Sequence, residues 1–385
     1  MEYAKLNNYY VLLTGSKNNA GDFLIKYRAK ELLVSLRPDR QFVDINAWEN
    51  LEDNDLLNLV NNSRALILTG GPAIGKYMYG KTYLLTENLD KIKVPIITFG
   101  LGWNSETGDW KNIDSYEFTE KSKSLIQRIS QNGYTNSVRD YHSFHLMKKA
   151  GIQNILMTGC PVLFRPDKFQ HKISIRKNKK ILFSLGVMFA ESKRMEIQVK
   201  KLITSLVEYF GNADVAVAFH HSLDPNYLKT VDPRKNLYKK NVEFSKWLDS
   251  KKIEYIDISG SAEKLIESYS KVDLHVGYRV HAHIFMSSIS KPSILLSEDG
   301  RGAALKEVLG GFIVNSFIKK KTDFISKILN RVIEFDQFVV DPDLHGKLMD
   351  RIIFELENEL PAMQIPRASI NSHYTVMSKF ILSLP

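Results

Sequence analysis

The chain has 385 residues, 44% of them hydrophobic, enough to bury two ordinary cores and therefore to form two domains. Its one cysteine, Cys160, excludes an internal disulfide framework and points to a reducing compartment, and no run of eighteen uninterrupted apolar residues is present to span a membrane. The formal charge of +10, from 53 basic and 43 acidic residues, calls for an anionic partner or a solvated basic surface. Nucleic acid is not the partner expected, because no recognition module or basic stripe interleaved with aromatics accompanies the charge.

The opening MEYAKLNNYYVLL lacks the charged, apolar and small-residue regions of a signal peptide, so a cytoplasmic protein is expected. Apolar runs then alternate with amphipathic stretches. Tyr9 to Thr14, Ala65 to Leu68, Val94 to Phe99 and Asn154 to Met157 read as strands, with helices such as Phe23 to Leu36 and Tyr141 to Ala150 between them. A polar, basic stretch from Arg165 to Lys180 interrupts the pattern, which restarts at Ile181 to Leu185. It continues through Val215 to Phe219, Ile253 to Ile258, Leu274 to Val276 and Ile294 to Leu296.

Such alternation is the signature of βαβ units and a parallel sheet. The fold class expected is α/β, with two Rossmann-like domains facing across a cleft, residues 1–170 and 171–335, and a C-terminal helical segment, 336–385. After Gly310 the chain is read as helical, Phe354 to Leu360 ends at Pro361, and Met363 to Pro385 is amphipathic. The clusters Arg176 to Lys180, Lys239-Lys240, Lys251-Lys252 and Lys319 to Lys321 read as solvated loop and helix ends. Attraction to an anionic membrane surface stays open beside that reading.

Chemistry concentrates at the expected strand-to-helix turns. In Asn18-Asn19-Ala20-Gly21-Asp22, Gly21 permits close backbone approach and Asn19 and Asp22 offer caps or acceptors. A capped turn without a ligand is the plain alternative, and GxGxxG is absent. Thr69-Gly70-Gly71-Pro72 can present bare N–H groups, as tight turns also do. Ser137-Val138-Arg139-Asp140 sets Arg139 either into the cleft or against an acidic neighbour. Gly159-Cys160-Pro161 favours a buried packing thiol over a nucleophile.

The densest segment is GYRVHAHIFMSSISKPSILLSEDGRG, residues 277–302. Arg279 and His281 fall where a strand opens into a helix from Val280 to Ile289, and that position suits a carboxylate or phosphate. His283 and His275 read equally as core histidines, and Glu298, Asp299 and Arg301 as a surface ion-pair loop. His220-His221 closes the strand VAVAF and is the second candidate site. Metal binding has little support: His281 and His283 stand at i and i+2, and Asp341-Pro342-Asp343 is a short DxD in a late loop.

Taken in order, NNAGD, TGGP, SVRDYHSFHLMKKAG, TGCP and GYRVHAHIFMSSISKPSILL, spread over roughly residues 11 to 310, resemble the polysaccharide pyruvyl transferase family. The resemblance implies a fold similar to the two-domain glycosyltransferase B architecture. It also implies transfer of the enolpyruvyl carbons of phosphoenolpyruvate to a sugar, giving a cyclic pyruvate ketal on a bacterial surface polysaccharide or its lipid-linked precursor. Arg279 and His281 match the family's Arg-x-His donor element. Asp299 and Arg301 fall where Asp-x-Lys is common, and Gly186 to Phe189 carries no basic residue where many members have one.

On that resemblance, Arg279, His281, His283, Arg301, His220, His221 and Arg139 are donor-binding candidates. Asn19, Gly21, Asp22, Gly70, Gly71, Asp299 and Glu298 are acceptor-binding candidates, and His281, Arg279 and Asp22 catalytic ones. No cofactor or metal enters this scheme. The partners implied are phosphoenolpyruvate, a sugar or lipid-linked oligosaccharide, and peripheral contact with the inner membrane. The alternative is a nucleotide-sugar glycosyltransferase in the same fold, with a diphosphate at the same helix N-terminus and Glu298 on a ribose. A non-catalytic carbohydrate or anionic-lipid binder is the third reading.

Overall fold

The computed structural model describes residues 8–15, 19–169, 171–175, 179–226, 235–319 and 338–385. Asn18, most of the Arg176 to Lys180 cluster, Lys320-Lys321 and the expected boundary at residue 170 lie outside them.

The first half contains β1 (Tyr9–Thr14), α1 (Ala20–Leu36), β2 (Gln41–Asn46), α2 (Asn54–Asn61), β3 (Ala65–Thr69), β4 (Ile96–Phe99), α3 (Lys111–Asp114), α4 (Glu120–Ser130), β5 (Asn136–Val138), α5 (Tyr141–Lys149) and β6 (Ile155–Met157). Strands β1 to β4 form a parallel sheet in the order β2-β1-β3-β4. Every residue of β1 and β3 is buried, as their unbroken apolar sequences require when helices cover both faces. The parallel pair β5-β6 continues this layer through side chains: Asn136 Oδ1 accepts from the Thr98 N–H (3.0 Å) and Ser137 Oγ from the Gly100 N–H (3.0 Å).

The second half contains β7 (Ile181–Ser184), α6 (Lys193–Phe210), β8 (Val215–Phe219), α7 (Lys235–Lys251), β9 (Glu254–Asp257), α8 (Ala262–Lys271), β10 (Leu274–Gly277), α9 (Val280–Ser288), β11 (Ser293–Ser297), α10 (Gly300–Leu309) and β12 (Ile313–Asn315). Its six parallel strands run β12-β11-β10-β7-β8-β9. That is the doubly wound order, reversing direction between β7 and β10. In the first sheet the reversal falls between β1 and β3. Ligands bind at such switch points, beyond the carboxyl ends of the strands, and α1 and α9 both start there.

Helix α1 packs on α8 and α9, so one apolar cluster runs from Tyr10, Leu24 and Ile25 through Leu265 and Tyr269 to Phe285. The two halves are Rossmann-like and face each other across a cleft, with a helical C-terminal segment. Helices α11 (Leu344–Glu357) and α12 (Pro361–Leu382) make up that segment. Leu360 adopts φ 61°, and Pro361 is the first residue of α12, so this proline starts a helix as well as stopping the preceding segment. The end of α12 returns to the first half: Tyr10 Oη donates to the Pro385 carbonyl (2.5 Å), and the Phe99 and Phe380 rings stand 5.4 Å apart.

The expectation of helix directly after Gly310 is corrected. Gly310 and Gly311, at φ 65° and 80°, end α10, and the β-branched pair Ile313-Val314 joins the sheet edge as β12. Ile318–Lys319 (β13) then pairs antiparallel with Phe338–Val339 (β14). Among the described residues, no helix is long and apolar enough to cross a membrane.

Candidate active site

The site lies where the two switch points meet. At the end of β1, Asn19 caps α1: its Oδ1 accepts from the Gly21 N–H (3.1 Å) and its Nδ2 donates to Asp22 Oδ2 (3.2 Å). Gly70 and Gly71, at φ 58° and 76°, turn the chain after β3 beneath α1, and a Cβ on Gly70 would strike Ile25 at 2.0 Å. Asp22 lies close enough to the buried Tyr83 that its charge, after burial, helps hold that phenol above its ordinary pKa.

His281 belongs to the opposite half, in the first turn of α9, yet its ring lies against the start of α1. A Cβ on Gly21 would sit 2.1 Å from His281 Nδ1 and 2.7 Å from Cγ. Gly21 is therefore the gap that admits this imidazole. His281 is buried, and its Nε2 has no hydrogen-bond partner among the described residues. Burial first, then the charges of Arg139, Arg301 and Arg279, hold its pKa well below the ordinary histidine value. Neutral imidazole among three guanidiniums is the resting state.

Each arginine comes from a different strand end. Arg139 follows β5, anchored by its N–H to the Leu101 carbonyl (2.9 Å), and its guanidinium lies flat on Gly102, where a Cβ would meet Nε at 2.0 Å. Its Nε reaches Asp140 Oδ2 at 3.4 Å, while Nη2, also buried, has no acceptor among the described residues. Arg279 caps α9 without a side-chain bond to the helix. Its N–H donates to Ser184 Oγ (3.0 Å), Nε to the Leu185 carbonyl (2.7 Å) and Nη2 to the Gly186 carbonyl (3.2 Å), and Nη1 is 3.4 Å from His221 Nε2. Arg301, in the first turn of α10, pairs with Asp299 through Nε (2.9 Å) and Nη2 (2.5 Å).

The structure thus gathers Asn19, Gly21, Asp22, Gly70, Gly71, Arg139, His221, Arg279, His281, Asp299 and Arg301 around one cleft. Three candidates are placed elsewhere. His283 points away from the strand ends: its Nδ1 bonds Ser293 Oγ (2.8 Å) at the start of β11, and burial lowers its pKa to about 3. His220 turns into the core and bonds Tyr269 Oη (2.8 Å). Glu298 is buried, and both its carboxylate oxygens accept from the Val187 N–H (3.1 and 3.0 Å), with Oε2 also taking the Met188 N–H (3.1 Å). It faces the β7 loop rather than an acceptor.

Asp299 is committed twice, to Arg301 and to the Arg301 N–H as cap of α10 (2.9 Å). Burial pushes its carboxyl pKa up, but Arg301 outweighs this and the net direction is down. Cys160 is fully buried, and burial raises its thiol pKa to about 11, which suits packing. Asp341 pairs with Lys347 (2.6 Å), in line with a loop ion pair.

Sequence reasoning missed Gly102 and Ser184. Gly102 carries a weak signal, the second glycine of Gly100-Leu101-Gly102 just beyond the end of β4. Ser184 Oγ accepts from the Arg279 N–H and shares a hydrogen bond with His275 Nε2 (2.7 Å), a role set by strand pairing between β7 and β10 that no local spacing reveals.

Three guanidiniums, of which Arg139 is buried, thus lie near the N-terminus of α9, where backbone N–H groups also suit an anion. Among solved structures the chain is similar to the S. aureus MnaA–UDP co-structure, at 13% identity over 98% of this chain and 99% of that one, with a TM-score of 0.50. It is also similar to UDP-GlcNAc 2-epimerase of Neisseria meningitidis bound to UDP-GlcNAc, at 11% identity over 97% and 99% of the chains and a TM-score of 0.47. At these identities the likeness concerns the fold alone, which is GT-B-like. No curated protein sequence matches the chain significantly. The family model for polysaccharide pyruvyl transferase matches residues 19–300, the span from the cap of α1 to the start of α10 that supplies nearly every group in the cleft, and the chain belongs to that family.

Proposed function

We propose that the protein transfers the enolpyruvyl group of phosphoenolpyruvate to two hydroxyls of a sugar in a surface polysaccharide or its lipid-linked precursor, forming a pyruvate ketal. The observation that carries this reading is the convergence of Arg139, Arg279 and Arg301 on neutral His281, with Arg139 Nη2 and His281 Nε2 buried and lacking partners among the described residues. Phosphoenolpyruvate brings a carboxylate and a phosphate, enough anionic oxygens for three guanidiniums. Its charge also offsets the arginines that depress His281, so donor binding favours the imidazolium.

The imidazolium then protonates the methylene carbon C3, and a sugar hydroxyl bonds to the cationic C2. The C2–O bond to phosphate breaks, the second hydroxyl closes the ring on C2, and phosphate leaves. Of the two hydroxyl protons, one replaces that given by His281 and the other departs on phosphate. On this scheme Asp22, beside Gly71 at the start of α1, orients the hydroxyls. In this reading residues 1–170 form the acceptor side, 171–335 the donor side and 336–385 the helical segment, and the protein works at the cytoplasmic face of the membrane.

The nucleotide-sugar alternative needs Glu298 on a ribose, but this carboxylate already holds two backbone N–H groups. The test is incubation with phosphoenolpyruvate and lipid-linked envelope oligosaccharide. Equal release of phosphate and gain of ketal supports the proposal, and sugar transfer from a nucleotide donor without phosphoenolpyruvate turnover refutes it.

A further inference from the structure

Glu298 is left without a role by this chemistry, although it is among the most completely held side chains near the cleft. It follows β11, is 6% exposed, and lies under the loop that leaves β7. A Cβ on Gly186 would stand 2.3 Å from Glu298 Oε2 and 3.0 Å from Tyr278 Cβ, so the loop backbone rests directly on the carboxylate. The Val187 and Met188 N–H groups both point into it. The same loop turns its carbonyls the other way: Leu185 and Gly186 accept from Nε and Nη2 of Arg279.

The peptide groups are shared. The Gly186 carbonyl that accepts from Arg279 and the Val187 N–H that donates to Glu298 belong to one planar unit, so fixing the N–H fixes the carbonyl. We propose that Glu298 is a positioning residue for donor binding: it locks the Leu185–Met188 loop so that two carbonyls aim the Arg279 guanidinium at the donor anion. The inference rests on the proposed donor role of Arg279. Burial, with the neighbouring charge of Asp299, raises the Glu298 pKa on balance, against the lowering by the charge of Arg279 and by the Met188 and Val187 N–H donors.

The test is a double-mutant cycle read by calorimetric titration with phosphoenolpyruvate on the full chain: wild type, Glu298→Ala, Arg279→Ala and the double variant. Loss of aim at Arg279 is expected to weaken phosphoenolpyruvate roughly 10-fold in Glu298→Ala, and to add little in the Arg279→Ala background, because both changes remove one interaction. Glu298→Gln, which keeps one acceptor oxygen, is expected between Glu298→Ala and wild type, and it serves alone if the alanine variant does not fold. Additive losses in the cycle, or wild-type affinity in both Glu298 variants while Arg279→Ala is weakened, would overturn the positioning role only. Wild-type affinity in Arg279→Ala would overturn the donor reading and this inference with it.

Discussion

Replacing Gly21 by alanine tests whether His281 sits where the structure places it. Gly21 is in the first turn of α1 with an ordinary negative φ, so on an open helix the change would add up to about 1 kcal/mol of stability. Here the new Cβ would lie 2.1 Å from His281 Nδ1, 2.7 Å from Cγ and 3.0 Å from Cβ, so turning the ring alone does not relieve the overlap. Overpacking of this kind costs about 1–3 kcal/mol, leaving a net loss of about 0–2 kcal/mol. With an unfolding entropy of roughly 2.1 cal/mol/K per residue, a chain this long changes Tm by only about 1 °C per kcal/mol, so Tm falls by at most about 3 °C.

Donor binding responds as well. At 100 times Kd, phosphoenolpyruvate stabilises the wild type by about 2.7 kcal/mol, or about 3 °C. A hundredfold loss of affinity cuts this to about 0.4 kcal/mol. Differential scanning calorimetry with and without phosphoenolpyruvate reads both quantities on one sample. A Gly21→Ala protein that keeps the full ligand-induced shift would show that the imidazole is not held against α1, and the site as described would be wrong.

Other substitutions and conditions give outcomes of known sign. Gly102→Ala drives a Cβ into the Arg139 guanidinium and is expected to weaken phosphoenolpyruvate at least 10-fold by calorimetric titration, with Tm within a few degrees of wild type. Arg139→Met leaves the buried Asp140 carboxylate without its ion-pair partner, so stability should fall by up to about 3 kcal/mol, a few degrees in Tm, while phosphoenolpyruvate binding is lost; wild-type binding would contradict this. His283, with a folded pKa of about 3, and His220, His275 and His281, all lowered by burial, bind fewer protons folded than unfolded. The stability this confers is complete above the unfolded value near 6.5 and is lost as pH falls below it. At pH 5.5 His283 contributes a loss of about 1.4 kcal/mol, and His220, His275 and His281 add losses of the same sign. Denaturant melts at pH 7.5 and 5.5 should show this, with His283→Asn flattening the slope by about one proton. Cys160, with its thiol near 11, should resist iodoacetamide at pH 7.5 until the chain is unfolded, and Cys160→Ala should bind phosphoenolpyruvate as wild type does.

The strands legible in the sequence are those buried on both faces, because parallel strands covered by helices become unbroken apolar runs. β2, QFVDIN, lies at the sheet edge and buries only Ile45 fully, and β5, NSV, pairs through Asn136 and Ser137 side chains, so neither carries that mark. At the site, Arg279 and His281 were legible from their place at a strand-to-helix junction. His221 and His220 were not separable by sequence, since neighbouring residues at a strand end point opposite ways, one to Arg279 and the other to Tyr269. His283 fails for the same reason on a helix: two residues beyond His281, it is turned by about 200° to the far side. Glu298 looked like a cleft residue because its partners, the Val187 and Met188 amides, lie 111 and 110 positions earlier in the chain.

The most direct test of the central claim is ligand-induced thermal stabilisation with phosphoenolpyruvate against UDP, GDP and CMP sugars, on the wild type and on Arg279→Ala. Stabilisation by phosphoenolpyruvate alone, lost in Arg279→Ala, is the result predicted by an arginine-lined donor site around His281. A shift with a nucleotide sugar and none with phosphoenolpyruvate would contradict it.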